Sequence, residues 1–103
     1  MYNIFKGGDM MLSYKLKLKD VYCKTNIETI DLTSKSNKEI IKNLDIKYFC
    51  MDMEINNKMY YVKNIPIVLL DMGEYDLSRY ISRQIVEYNI PKGIFDYEEF
   101  LLE

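Results

Sequence analysis

The sequence contains no histidine, no tryptophan and no alanine, and only 2 cysteines, 2 prolines and 4 glycines. Each scarcity excludes something. Without histidine there is no usual general base near neutral pH, no commonest zinc ligand and no triad base. Cys23 and Cys50 stand at a spacing that no metal motif uses, and two thiolates alone make an incomplete zinc site. Their bland reading is as small apolar residues, and nothing marks the chain for the export that disulfides accompany. So few Gly and Pro leave no room for a linker-rich or low-complexity chain. No apolar run approaches the roughly 20 residues of a membrane span. The longest is Ile67-Val68-Leu69-Leu70, and the N-terminus lacks the apolar stretch of a signal peptide. These features lead us to expect a cytoplasmic protein with no membrane contact.

What is present is tyrosine, methionine, lysine and isoleucine: Tyr 10 and Met 7 in 103 residues, with 49% hydrophobic and 29% charged overall. That is one domain with one modest core. Tyr, Ile, Lys and Asn share AT-rich codons, while alanine is absent and arginine appears only as Arg79 and Arg83. The bias points to an AT-rich genome, such as a low-GC bacterium or its phage. Lys6-Gly7-Gly8-Asp9-Met10-Met11 back-translates to a bacterial ribosome-binding sequence just upstream of two start codons. Residues 1–10 therefore read as a translated leader or flexible N-terminus, and 11–103 as the domain. The alternative is that Gly7-Gly8 is an ordinary turn.

Periodicity organises the rest. Over 12–22, Tyr14, Leu16 and Leu18 alternate with Lys15, Lys17 and Lys19, which predicts a strand with a lysine row on one face. The phase breaks at Asp20-Val21-Tyr22, the mark of a bulge or strand end. Thr25 to Thr33 is expected to be a second strand, and Ser36-Asn37-Lys38-Glu39 matches a capping box opening a short helix over 37–44, with Ile40, Ile41 and Leu44 inward. Tyr48 to Val62 reads as a hairpin turning at Asn56-Asn57, because Asn tolerates positive φ. Pairing Ile55 with Lys58 puts Phe49, Met51, Met53, Ile55, Tyr60 and Val62 on one apolar face; Asp52, Glu54, Met59, Tyr61 and Lys63 fall on a mixed face opposite. Ile65 to Leu70 is expected to be a further strand. Glu74 to Asn89 has the strongest helical pattern, with Leu77, Tyr80, Ile81, Gln84, Ile85 and Tyr88 inward, ended by Asn89 and Pro91. Gly93 suits a sharp turn, and Asp96 caps a short C-terminal helix. The expected class is α+β: a small antiparallel sheet of about four to five strands packed against one long helix.

Function is read from what remains. No nucleophile has a base in a recognisable motif, and there is no phosphate-cradling Gly-rich loop. Asp52 and Glu54 share a strand face, but alternation produces such pairs constantly. We therefore expect no enzyme and no cofactor. Ten tyrosines exceed what one small core hides, since each buried hydroxyl needs a partner, and tyrosine suits interfaces. Residues 71–103 set Arg79, Arg83 and Lys92 against Asp71, Glu74, Asp76, Glu87, Asp96, Glu98, Glu99 and Glu103, while the lysines gather earlier, within a net charge of −2. Helix dipoles explain many of these acids. The functional reading is an acidic helical face, Glu74, Asp76, Glu87, Glu98 and Glu99, with Tyr75 and Tyr97 as aromatic anchors, that meets a larger protein or nucleoprotein. Small proteins of AT-rich phages and plasmids often inhibit host machinery stoichiometrically, anti-CRISPRs among them, and that is the class expected here. The alternatives are a small-ligand-binding regulator and a nucleic-acid binder using Lys15, Lys17 and Lys19, against which stand the acidic pI of about 5.2 and the bland role of lysines in protecting an edge strand. A homodimer through the first or second strand is a further expectation.

Overall fold

Alternating and helical patterns resolve, in the computed structural model, into five strands and three helices; residues 13–101 are described. The expected leader, residues 1–10, lies outside them. The order is β1 (Leu16–Lys24), β2 (Thr29–Asp31), α1 (Lys35–Lys42), β3 (Tyr48–Ile55), β4 (Lys58–Pro66), a 3₁₀ helix (Ile67–Met72), α2 (Glu74–Glu87), β5 (Gly93–Asp96) and α3 (Tyr97–Leu101). The class is α+β, with one sheet ordered β2-β1-β3-β4-β5. The pairings are antiparallel except β4 with β5, which is parallel and is joined through α2. The described residues include no helix long and apolar enough to cross a membrane.

The hairpin has the expected register, Ile55 opposite Lys58 and Met53 opposite Tyr60. Asn56 and Asn57 both take positive φ, 51° and 66°, as the twist-matched two-residue turn requires. β1 changes phase where its sequence does. Leu16 and Leu18 turn inward, the register shifts between Leu18 and Asp20, and Val21 and Cys23 are then the inward residues. A second irregularity falls opposite Cys50. Asn64 adopts φ 58°, and the extra residue lets β4 continue to Pro66.

Several expectations are corrected. Ile65 to Leu70 is not a separate strand: its start completes β4 and its end winds into the 3₁₀ helix. The second strand shrinks to Thr29–Asp31, because the Thr25 hydroxyl accepts from the N–H groups of Ile27 and Glu28 and closes a turn that leaves Ile27 89% exposed. The first short helix starts two residues early. Ser34, not Ser36, is its N-cap, accepting from the Asn37 N–H at 3.4 Å. Of its apolar residues only Ile41 is buried, while Ile40 and Leu44 are exposed. The segment after Gly93 forms β5, where a turn was expected, although Asp96 does cap α3 by accepting from the Glu99 N–H.

Helix α2 lies on the face of the sheet that carries Val21, Met51, Met53 and Val62. It buries Leu77, Ser78, Ile81, Ser82 and Ile85. Tyr80 and Tyr88, expected inward, are exposed, and two serines take the places nearer the sheet. Their short side chains permit close approach. The Ser78 hydroxyl bonds the Tyr75 carbonyl and Ser82 bonds the Arg79 carbonyl, so neither is left unsatisfied. The helix ends as expected: Asn89 takes φ 53°, and the Ile90 and Asn89 N–H groups bond the carbonyls of Ile85 and Val86. Phe95, Tyr97 and Phe100 close the core at the β5–α3 corner through edge-on and stacked ring contacts.

Candidate functional site: the open face of the sheet

A strand presents alternate residues to opposite faces. With α2 on one face, the other carries Lys17, Asp20, Tyr22 and Lys24 from β1, Tyr48, Cys50, Asp52 and Glu54 from β3, Met59, Tyr61 and Lys63 from β4, and Ile94 from β5. None of these side chains is fully buried. Tyr61 and Ile94 are cross-strand neighbours, 45% and 73% exposed. They form an exposed apolar and aromatic patch at the β4–β5 edge of a face that is otherwise mostly polar and charged.

The border is ordered by specific bonds. The Tyr22 hydroxyl donates to Asp52 at 2.9 Å, and burial together with that carboxylate raises the phenol well above its usual range. Tyr48 donates to Glu98, which also raises its pKa, and Asn64 donates to Asp96 at 3.0 Å. Glu54 meets Lys19 at 3.7 Å. Asp31 is held below its ordinary pKa by the Thr33 N–H and hydroxyl. A groove of about 630 Å³ opens where the ends of β1, β3 and β4 meet the loop before β3, with Tyr22, Lys24, Lys47, Tyr48, Cys50, Lys63 and Ile94 in its wall. Desolvation raises the Cys50 thiol, opposed by the nearby Lys24 and Lys63. Cys23 points to the core, so the two cysteines occupy opposite faces of adjacent strands and both are free.

The acidic helical face expected from the sequence is not one patch. Glu74 and Asp76 open α2 and Glu87 closes it, roughly 20 Å away at 1.5 Å per residue. Glu74 is paired with Lys38, Asp76 and Glu87 are exposed, Glu98 receives the Tyr48 hydroxyl, and Glu99 is exposed. Tyr75 is 59% exposed, with the Arg79 guanidinium 5.8 Å from its ring centre. Tyr97 is 1% exposed and donates to Gln84 at 3.2 Å; burial and the neighbouring Tyr80 push its pKa up to about 12. As a core residue it cannot serve as a surface anchor.

Lys15, Lys17 and Lys19 are all exposed, but Lys17 lies opposite Glu54 and Lys19 is ion-paired with it. Their half of β1 has no partner strand on the side away from β3 among the described residues, since β2 pairs only with Tyr22–Lys24. Edge protection is thus a sufficient account of the row. β1 is an open edge only along its first half, and β2 is an edge of three residues.

Several tyrosines are at the surface as anticipated, Tyr61 and Tyr75 at positions expected there and Tyr80 and Tyr88 against expectation, with Tyr48 exposed as well. Sequence reading had Tyr61 and Lys63 on the open face but missed Ile94, Lys24 and Lys47 as their neighbours. The signal for Ile94 was the alternation Ile94-Phe95-Asp96, read as a turn because Gly93 precedes it. In comparisons with known proteins, no family model matches the chain, and neither a curated protein nor a solved structure matches it.

Proposed function

We propose that this chain acts by binding, without catalysis, and that the open face of the sheet is the surface that meets a larger protein or nucleoprotein. The observation that carries the reading is the exposed Tyr61–Ile94 pair at the β4–β5 edge of that face, next to Met59, Lys63 and Asp52. An exposed apolar and aromatic patch beside polar side chains suits an interface, and tyrosine provides large contact area at small entropic cost. The action suited to such a surface is stoichiometric occlusion of the partner, as in inhibitors carried by phages and other mobile elements.

The mixed rim disfavours direct nucleic-acid binding. Asp20, Asp52 and Glu54 stand among the lysines of this face, and a phosphate backbone would meet them too. The test is capture from a low-GC bacterial lysate, treated with nuclease, by the wild type and by Tyr61→Glu/Ile94→Glu. Nuclease-resistant recovery of one partner that the double substitution abolishes, with the melting temperature kept, supports the reading. Undiminished recovery by the variant removes the sheet face.

A further inference from the structure

We propose that the groove at the end of the open face is an anion-binding site for a phosphorylated small molecule, with Lys24, Lys47 and Lys63 holding its phosphate groups between Tyr22 and Tyr48. The inference goes beyond partner binding and does not rest on it. Three lysines line one groove whose wall holds a single acid, Asp45. The other acids at its border are engaged by neutral donors: Asp52 by Tyr22, Glu98 by Tyr48, and Asp96 by Asn64. None of the three lysines forms an ion pair with a described residue. The border carboxylates keep their charge, but within the lining itself three lysines stand against one acid, and that local excess of positive charge favours an external anion. Lysine supplies point charges that suit phosphate. The volume, about 630 Å³, lies within the range of small-molecule pockets and exceeds what a bare phosphate fills. Tyrosine rings and the exposed Ile94 on the walls suit an organic moiety beside the phosphates.

Cys50 lies in the same wall and is partly accessible, while Cys23 is fully buried, so a thiol reagent reports on the groove. The experiment titrates inorganic pyrophosphate and adenosine triphosphate into the full chain at low salt by calorimetry, and follows Cys50 alkylation in parallel. Both probes are expected to bind wild type, the nucleotide more tightly, and both should slow Cys50 alkylation several-fold. Lys24→Glu/Lys63→Glu should weaken binding at least tenfold, Lys47→Glu should weaken it to a lesser degree, and Lys15→Glu/Lys17→Glu, far from the groove, should leave it nearly unchanged. Tighter pyrophosphate than nucleotide binding keeps the anion site and overturns the organic moiety. The proposal is overturned if neither probe binds at millimolar concentration, or if Lys15→Glu/Lys17→Glu weakens binding as much as the groove variants, which would make the attraction diffuse.

Discussion

Tyr97→Ala would remove a fully buried ring from the β5–α3 corner of the core. The Tyr97 ring is 1% exposed and packs with Phe95 and Phe100, and its hydroxyl donates to Gln84. Truncating a buried aromatic side chain to alanine costs about 3–5 kcal/mol in transfer and cavity terms. A domain of this size has a total stability of about 5–15 kcal/mol, and each kcal/mol shifts melting by about 4–8 °C. Tyr97→Ala should therefore lower the melting temperature by at least about 10 °C. Tyr97→Phe, which removes only the hydroxyl, should cost about 0.5–1.5 kcal/mol. The same residue gives a pH signature. Its pKa rises from 10.0 unfolded to about 12 folded, so between those values the unfolded chain releases the proton while the folded chain retains it. The unfolded state then binds fewer protons, and stability falls as pH rises through that window, by up to about 3 kcal/mol for the full shift. Urea denaturation followed by circular dichroism at pH 8, 10 and 11.5 measures both effects. Tyr97→Phe should lose less stability across that series than wild type. The reasoning is refuted if Tyr97→Ala melts within 2 °C of wild type, as a surface anchor would.

Other substitutions test other parts of the account. Asn57→Gly should stabilise the hairpin by about 0.5–1 kcal/mol, since position 57 holds φ 66°, which glycine adopts without steric cost; a lower denaturation midpoint would contradict the turn. Ser82→Leu should destabilise by about 1–3 kcal/mol, because the hydroxyl sits fully buried under α2 and bonds Tyr14 at 2.8 Å, leaving no space for a larger side chain. Removing the Lys38–Glu74 pair with Lys38→Ala should change stability by less than about 1 kcal/mol, as for most surface ion pairs. Asp76→Lys/Glu87→Lys, both exposed on α2, should leave partner capture intact if the sheet face, and not the acidic helical face, is the binding surface.

The parts of the fold legible in the sequence are those whose signals are local. Asn56-Asn57 marks a turn by its own φ preference, and strict alternation on either side then determines which residues pair. The phase break at Asp20-Val21-Tyr22 reports the bulge in β1 for the same reason. What could not be read depends on distant partners. Gly93–Asp96 becomes a strand only because β4 offers it an edge, and nothing local distinguishes that from a turn. The buried face of α2 is set by the close approach of Ser78 and Ser82 to the sheet, whereas hydropathy favours Tyr80 and Tyr88. Tyrosine is the residue type for which the ambiguity is greatest: its ring suits the core, its hydroxyl suits the surface, and the choice at Tyr97 against Tyr75 is made by packing. The open face was half legible, through Tyr61 and Lys63 of the hairpin, but its apolar patch needed Ile94 of β5.

The most direct test of the central claim compares capture of a nuclease-resistant partner by three proteins at matched folding: wild type, Tyr61→Glu/Ile94→Glu and Asp76→Lys/Glu87→Lys, the last two acids being exposed on α2. Binding through the sheet face predicts recovery by the first and third and loss by the second. Loss by the third with full recovery by the second would contradict it and return the acidic helices to the interface.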